Sequence, residues 1–247
     1  AEASIHAIIG ENGAGKSTAM KMLYGIYPPT SGEIWLRGNP CNWRSPSDAI
    51  ASGIGMVHQH FMLAHPFSVL DNIVLGAESA HKYFSWLPKA LRPMERKSAR
   101  KKLLQLMERY GLAVDLDLPI HALPVGMQQR VEILKLLFRD SEILILDEPT
   151  AVLTPREIDE LFRNLRRLRD EGKTILIITH KLKEVVALAD RVSVFRAGRV
   201  VGEELIRNTS VEALAELMVG RKIKLRVDPE RACNPGKSVL TIEKLNV

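Results

Sequence analysis

Ser4-Ile5-His6-Ala7-Ile8-Ile9-Gly10-Glu11-Asn12-Gly13-Ala14-Gly15-Lys16-Ser17-Thr18 is the stretch whose reading decides the fold. Ile5, Ala7 and Ile9 alternate, which predicts a strand over residues 4–9. Gly10 through Ser17 fits the pattern G-x-x-x-x-G-K-[ST], and a short helix from Thr18 to about Tyr24, closed by Gly25, follows it. Glycines let backbone N–H groups curl around phosphate oxygens, and the helix start adds its positive dipole end. Lys16 has the reach to meet β- and γ-phosphates, and the Ser17 hydroxyl suits Mg²⁺. A chance glycine-rich turn would match the same letters. The strand before it and the helix after it favour a nucleotide loop, with Gly10, Asn12, Gly13, Ala14, Gly15, Lys16, Ser17 and Thr18 as the candidate binding residues.

Working outward, Pro28, Pro29 and Gly32 make a turn, and Glu33–Arg37 and Ile54–His58 read as short strands. Residues 61–139 lack β-branched runs and read as mostly helical. Ile143–Leu146 is a continuous apolar run, as in a strand covered on both faces. Thr154, Pro155 and Glu157 form a capping box ahead of a helix whose buried stripe is Ile158, Leu161, Phe162, Leu165 and Leu168, stopped by Gly172. Thr174–Thr179 is a second buried strand, with Leu182, Val185, Val186 and Ala189 marking the helix behind it. Arg191–Phe195, the turn Ala197-Gly198 and Val200-Val201 read as a hairpin, and Thr209 with Glu212 opens a last helix that ends at Gly220. Strands alternating with helices predict an α/β fold with a largely parallel sheet. Residues 227–238, with Pro229, Pro235 and Gly236, read as a linker, and 239–247 resume a strand-like alternation.

Two acids, Asp147 and Glu148, close the run Ile143–Leu146, and in an open α/β sheet that is the ligand edge. Asp147 is suited to hold Mg²⁺, and Glu148 to orient or deprotonate an attacking water. By itself Asp-Glu-Pro is also an ordinary turn; beside a phosphate loop the metal reading is preferred. Gln59 and His180 each follow a strand that ends on the same edge. His58 and His60 alternate on one strand, but no third ligand joins them at metal spacing, so a structural metal is not favoured.

The chain has 247 residues, 46% apolar and 26% charged, with 35 basic against 29 acidic side chains, a net +6. That is too apolar for wholesale disorder. No apolar run approaches the ~18–20 residues that cross a bilayer, so a membrane role would come through a partner. Cys41 and Cys233 form no disulfide framework, which favours a reducing compartment. Between Lys82 and Arg109 stand nine basic residues against Glu95 and Glu108, a surplus of +7 that covers the whole net charge. It reads as the solvated face of an amphipathic helix rather than a nucleic-acid patch, because Leu103, Leu106, Met107 and Tyr110 recur at helical spacing before Gly111.

In order, these features resemble the ATPase subunit of ABC transporters. Gly10–Ser17 looks like Walker A and Ile143–Glu148 like Walker B; Gln59 in Val57-His58-Gln59-His60-Phe61 looks like the Q-loop, and His180 like the switch histidine. Leu123, Pro124, Val125, Gly126, Met127 and Gln128 stand at the signature position. The stretches 125–135, 147–155 and 179–182 are similar to simple-sugar and nucleoside importers, closer to the purine-nucleoside type, with riboflavin-like solutes an open alternative. The resemblance implies a P-loop NTPase fold with a small antiparallel part. It implies a catalytic core over 1–58 and 140–226, an inserted helical subdomain over 59–139, and the first strand of a second ATPase half over 239–247.

The implied cofactors are ATP and Mg²⁺, the metal being held by Ser17, Asp147 and Gln59, with Glu148, His180 and Gln59 as the catalytic set. The implied partners are transmembrane permease subunits, a second ATPase half on the same polypeptide and, indirectly, an extracytoplasmic solute-binding protein. The implied place is the cytoplasmic face of the membrane, with no nucleic acid; the alternative is a non-transport family member that binds RNA. A soluble phosphate-loop kinase fits less well, since it would not carry the Gln59, signature and His180 set. Pro124 departs from the family's serine and supplies neither hydroxyl nor N–H, which implies a silent site at this signature. The D-loop aspartate is replaced near Thr154, and no aromatic residue precedes Gly10 to stack on adenine, so a first strand is expected upstream of Ala1.

Overall fold

The computed structural model describes residues 2–75 and 96–221. Strand β1 (Ile5–Gly10) leads through the glycine loop into helix α1 (Lys16–Leu23). The hairpin β2 (Ile34–Leu36) and β3 (Asn39–Cys41), helix α2 (Pro46–Ala51) and strand β4 (Ile54–Val57) follow. Among the described residues, three α-helices then precede the next strand: α3 (Val69–Val74), α4 (Arg96–Tyr110) and α5 (Val125–Phe138). The rest is β5 (Ile143–Asp147), α6 (Pro155–Asp170), β6 (Thr174–Ile178), α7 (Leu182–Leu188), the hairpin β7 (Arg191–Arg196) and β8 (Arg199–Leu205), and α8 (Val211–Val219).

The main sheet runs β4-β5-β6-β1-β7-β8, parallel throughout except for β8, and β2–β3 form a separate antiparallel pair. The chain leaves β1 to one side for β4–β6 and returns to the other for β7, so β1 lies where the strand order reverses. Alternation explains the two-sided core. Leu144 and Leu146 of β5 pack toward the side that carries α3–α6, and Ile145 toward α1 and α2. Both faces are covered, which is why the strands read as unbroken apolar runs. Both hairpins turn through two residues of positive φ, Arg37-Gly38 and Ala197-Gly198, the conformation that matches the twist of the flanking strands.

Most predicted elements stand, with shifted ends. Helix α1 starts at Lys16 rather than Thr18, because Gly15 in the left-handed region already serves as its cap. The capping box at α6 forms, the Thr154 N–H donating to Glu157 Oε2 at 2.8 Å. The cap of α8 is Ser210, not Thr209: its hydroxyl accepts the Ala213 N–H at 3.2 Å, and Gly220 closes the helix at φ 77°. Among the described part of residues 59–139, α3–α5 share one continuous buried cluster with β5, β6 and α6.

On α4, Leu103 and Tyr110 are buried as the spacing predicts. Four of its six basic residues are paired: Arg96 with Asp71 and Lys102 with Asp140, both at 2.7 Å, Arg109 with Glu171 at 2.5 Å, and Arg100 with Asp117. Lys82, Lys89, Arg92, Cys233 and the segments 227–238 and 239–247 lie outside the described residues. Cys41 is unpaired in the described part. No helix among the described residues is long and apolar enough to cross a membrane.

Candidate functional site

Strand register assembles the site. Ile8 and Asp147 both pair with Ile178, and Leu146 pairs with Val57. The carboxyl ends of β1, β4, β5 and β6 therefore finish together. Residues 12–18, Gln59, Asp147, Glu148, Ala151 and His180 line one cleft of about 490 Å³ beyond those ends. The phosphate-loop, Walker B, Q-loop and histidine candidates are thus brought together. Leu123 through Gln128 are not among the lining residues. They sit at the start of α5, where Pro124 is the cap and its carbonyl accepts the Met127 N–H at 2.9 Å. Gly126 there lies under the Glu157 carboxylate: a Cβ would stand 2.1 Å from Oε1.

The loop itself is tightly built. Gly10 faces the backbone of β7, where an added Cβ would sit 2.3 Å from the Phe195 carbonyl oxygen. The Gly198 N–H donates to the Ala14 carbonyl at 3.0 Å, so the β7–β8 turn props the loop from behind. No side chain caps α1 and no acid stands in its first turn, which leaves its N–H groups open to an anion. The Lys16 ammonium is buried and folds onto the loop, donating to the Gly10 carbonyl at 2.8 Å and the Glu11 carbonyl at 3.0 Å. Burial lowers its pKa, against the pull of Glu148 and Asp147.

The acids across the cleft differ in setting. Asp147 is buried and accepts the Ser17 hydroxyl at 3.4 Å. Burial raises its pKa, opposed by that hydrogen bond and reinforced by the Glu148 charge. Glu148 adopts φ 49°, rare for a residue with a side chain, and its N–H donates to the Ile178 carbonyl at 2.9 Å. Its Oε1 accepts from His180 Nδ1 at 2.8 Å. A carboxylate only accepts, so that ring nitrogen carries the proton. Glu148 Oε2 is buried without a hydrogen-bond partner.

The residues suit a Mg²⁺-triphosphate. Two hard oxygens, Ser17 Oγ and Asp147 Oδ1, stand side by side, a buried ammonium and an open helix start offset phosphate charge, and one buried carboxylate oxygen waits for a donor. The His58 ring packs edge-on against Tyr24 at 5.9 Å, and among the described residues no three or more His, Cys, Asp and Glu gather in a group that could hold a metal ion.

Sequence reasoning missed two features around the cleft. Glu132 on α5 is buried, and its Oε1 accepts the Met62 N–H at 2.7 Å while Lys135 Nζ donates to the Met62 carbonyl at 3.1 Å, which ties the loop after Gln59 to α5. Burial raises the Glu132 pKa, against Lys135, the Met62 N–H and Arg139. The second is a hydrogen-bonded group of Thr150, Lys181 and Glu184 behind Glu148 and His180. The i, i+3 spacing of Lys181 and Glu184 was the only sequence signal for it.

Comparison with known proteins agrees with this geometry. The chain is 49% identical over 243 residues to the nucleoside import ATP-binding protein NupA of Lactococcus lactis, covering 98% of this chain and 46% of that protein. It is also 49% identical over 255 residues to the glucose import ATP-binding protein TsgD13 of Haloferax volcanii, covering 96% and 46%. The chain thus spans about half the length of the curated relatives it matches. Among solved structures, cbiO1 of Clostridium perfringens, part of the ABC transporter complex cbiONQ, superposes with a TM-score of 0.67 at 32% identity, covering 92% of this chain and 85% of that one. Residues 1–151 match the ABC transporter family model, and the chain belongs to the ATP-binding domains of that family.

Proposed function

We propose that this chain binds and hydrolyses ATP as one ATPase half of a tandem importer subunit, energising uptake of a nucleoside-like or simple-sugar solute at the cytoplasmic face of a membrane. The observation that carries the reading is the Glu148–His180 pair, 2.8 Å apart, in the same cleft as Lys16, Ser17 and Asp147. The phosphate loop and α1 bind the polyphosphate, with Lys16 moving from the loop carbonyls to the phosphate oxygens. Ser17 and Asp147, with Gln59 at the cleft edge, would hold Mg²⁺, which when bound offsets charge on the leaving phosphate. Glu148 accepts the proton of the attacking water and His180 orients Glu148. Relatives named for nucleoside and for glucose import are equally similar, so the solute class rests on the motif wording in 125–135, 147–155 and 179–182.

On this reading the core is 1–58 with 140–226, and Gln59 and Met62 form the joint with α5. The partners are membrane permease subunits, reached through the loop after Gln59, together with a second half on the same polypeptide. The signature at Pro124 faces a silent site, so Pro124→Ser in the complete polypeptide leaves ATPase within about twofold; a tenfold rise contradicts it. Pairing of Arg96, Arg100, Lys102 and Arg109 with acids of neighbouring elements weighs against an RNA-binding α4. The test of the main reading is Glu148→Gln in the assembled protein. ATP binding should persist while turnover is lost, and undiminished turnover would remove Glu148 as the base.

A further inference from the structure

We infer that Thr150, Lys181 and Glu184 form a brace that sets the position of Glu148 against His180, and that they are positioning residues for hydrolysis. The inference rests on the proposed ATPase reading and deepens it. None of the three lines the cleft. Each stands one to four residues beyond a member of the reacting pair: Thr150 two after Glu148, Lys181 one and Glu184 four after His180.

Thr150 is buried at 2% exposure, and its hydroxyl donates to Glu184 Oε2 at 2.6 Å. Lys181 Nζ donates to the Thr150 carbonyl at 2.9 Å and to its hydroxyl oxygen at 3.2 Å, and approaches Glu184 Oε1 at 3.2 Å. The Lys181 N–H donates to Thr179 Oγ1 at 3.1 Å, which joins the same group to the end of β6. The Thr150 hydroxyl is thus donor and acceptor at once, and the loop after β5 is bound to the segment after β6 by contacts that close on one another.

The brace answers a structural need. Glu148 sits at φ 49°, a strained conformation for a residue with a side chain that persists only where the surroundings over-determine it. On the strand side the Glu148 N–H is held by the Ile178 carbonyl. On the other side the chain turns at once, the Ala151 N–H donating to the Glu148 carbonyl at 3.2 Å, and Thr150 inside that turn is the anchored residue. Releasing Thr150 frees the turn to carry Glu148 back toward negative φ, away from His180. A displacement near 1 Å at a reacting group lowers turnover by up to about a hundredfold.

The experiment measures kcat and KM for MgATP in the complete polypeptide in its native assembly, with Thr150→Val, Thr150→Ser, Lys181→Met and Glu148→Gln in parallel. Thr150→Val keeps the shape and removes the hydroxyl; it should lower kcat about ten- to a hundredfold with KM within about threefold. Thr150→Ser restores the hydroxyl and should keep kcat within about threefold of the parent. If Thr150→Val does not fold, Lys181→Met, at a partly exposed position, carries the same expectation. Parent-like kcat in the folded Val or Met variant overturns the brace. So does a Ser variant that falls as far as Val, or a KM that rises in step with the loss of kcat. Glu148→Gln separates the two claims: if it abolishes turnover while Thr150→Val keeps a parent-like kcat, the brace alone fails, and if it turns over normally the reading of the cleft fails and the brace with it.

Discussion

Replacing Glu148 by glycine should make the nucleotide-free protein more stable than replacing it by alanine, the reverse of the usual ranking. The structure supplies three terms. Glu148 lies at φ 49°, where a residue with a Cβ is strained by about 1–2 kcal/mol and glycine is not. Its Oε2 is buried with no partner, a desolvation penalty of about 1–3 kcal/mol that any truncation removes. Against these stands the hydrogen bond to His180, whose side chain is 54% exposed, contributing about 1 kcal/mol or less. Truncation to alanine therefore ranges from neutral to a gain of about 2 kcal/mol. Glycine adds the strain relief and loses about 0.5–1 kcal/mol through its freer unfolded chain. The net preference for glycine over alanine is roughly 0.5–1 kcal/mol, or about 1–4 °C in melting midpoint for a domain of this size. The assay is thermal unfolding of the nucleotide-free 247-residue chain, parent against both variants. An alanine variant as stable as the glycine variant, or more so, would refute the claim that strain is stored at Glu148.

Gly10→Ala places a Cβ 2.3 Å from the Phe195 carbonyl, a backbone atom in the β1–β7 ladder that cannot swing aside; the expected loss is about 1–3 kcal/mol, read as a lower melting midpoint with weaker ATP affinity, and an unchanged midpoint contradicts it. Glu132→Gln keeps an oxygen for the Met62 N–H but removes a carboxylate whose pKa burial raises above its ordinary 4.5. A raised acid binds its proton better in the folded state, so its contribution is full below about pH 4.5 and is lost as pH rises through the folded value. The glutamine variant should accordingly gain most in melting midpoint near pH 7 and less toward about pH 4; a gain that grows toward acid overturns the sign.

The legible part of the fold was the part written in local pattern. The alternation Ile5, Ala7, Ile9 before a glycine loop marks β1 and the phosphate site, and Ile143–Leu146 before two acids marks β5 and its edge. The Thr154 capping box was readable because cap and partner are three residues apart. What sequence could not supply lies in register and in backbone conformation. Thr150 meets Glu184 only because Asp147 pairs with Ile178 across two parallel strands. The positive φ of Glu148 has no signature in a Glu-Pro pair. Thr209 and Ser210 are both competent caps, and the backbone of β8 and the short turn after it decides for Ser210. The clamp of Glu132 on Met62 joins residues 70 apart, and nothing in either stretch announces it.

The central claim is that the cleft hydrolyses ATP with Glu148 as the base, and the most direct measurement identifies the nucleotide left in it after a single turnover. Parent and Glu148→Gln proteins in their native assembly are mixed with MgATP, quenched, and the bound nucleotide is analysed. The parent should release phosphate and hold ADP, while the variant should retain intact ATP at comparable occupancy. ADP formed by Glu148→Gln at the parental rate would contradict the account.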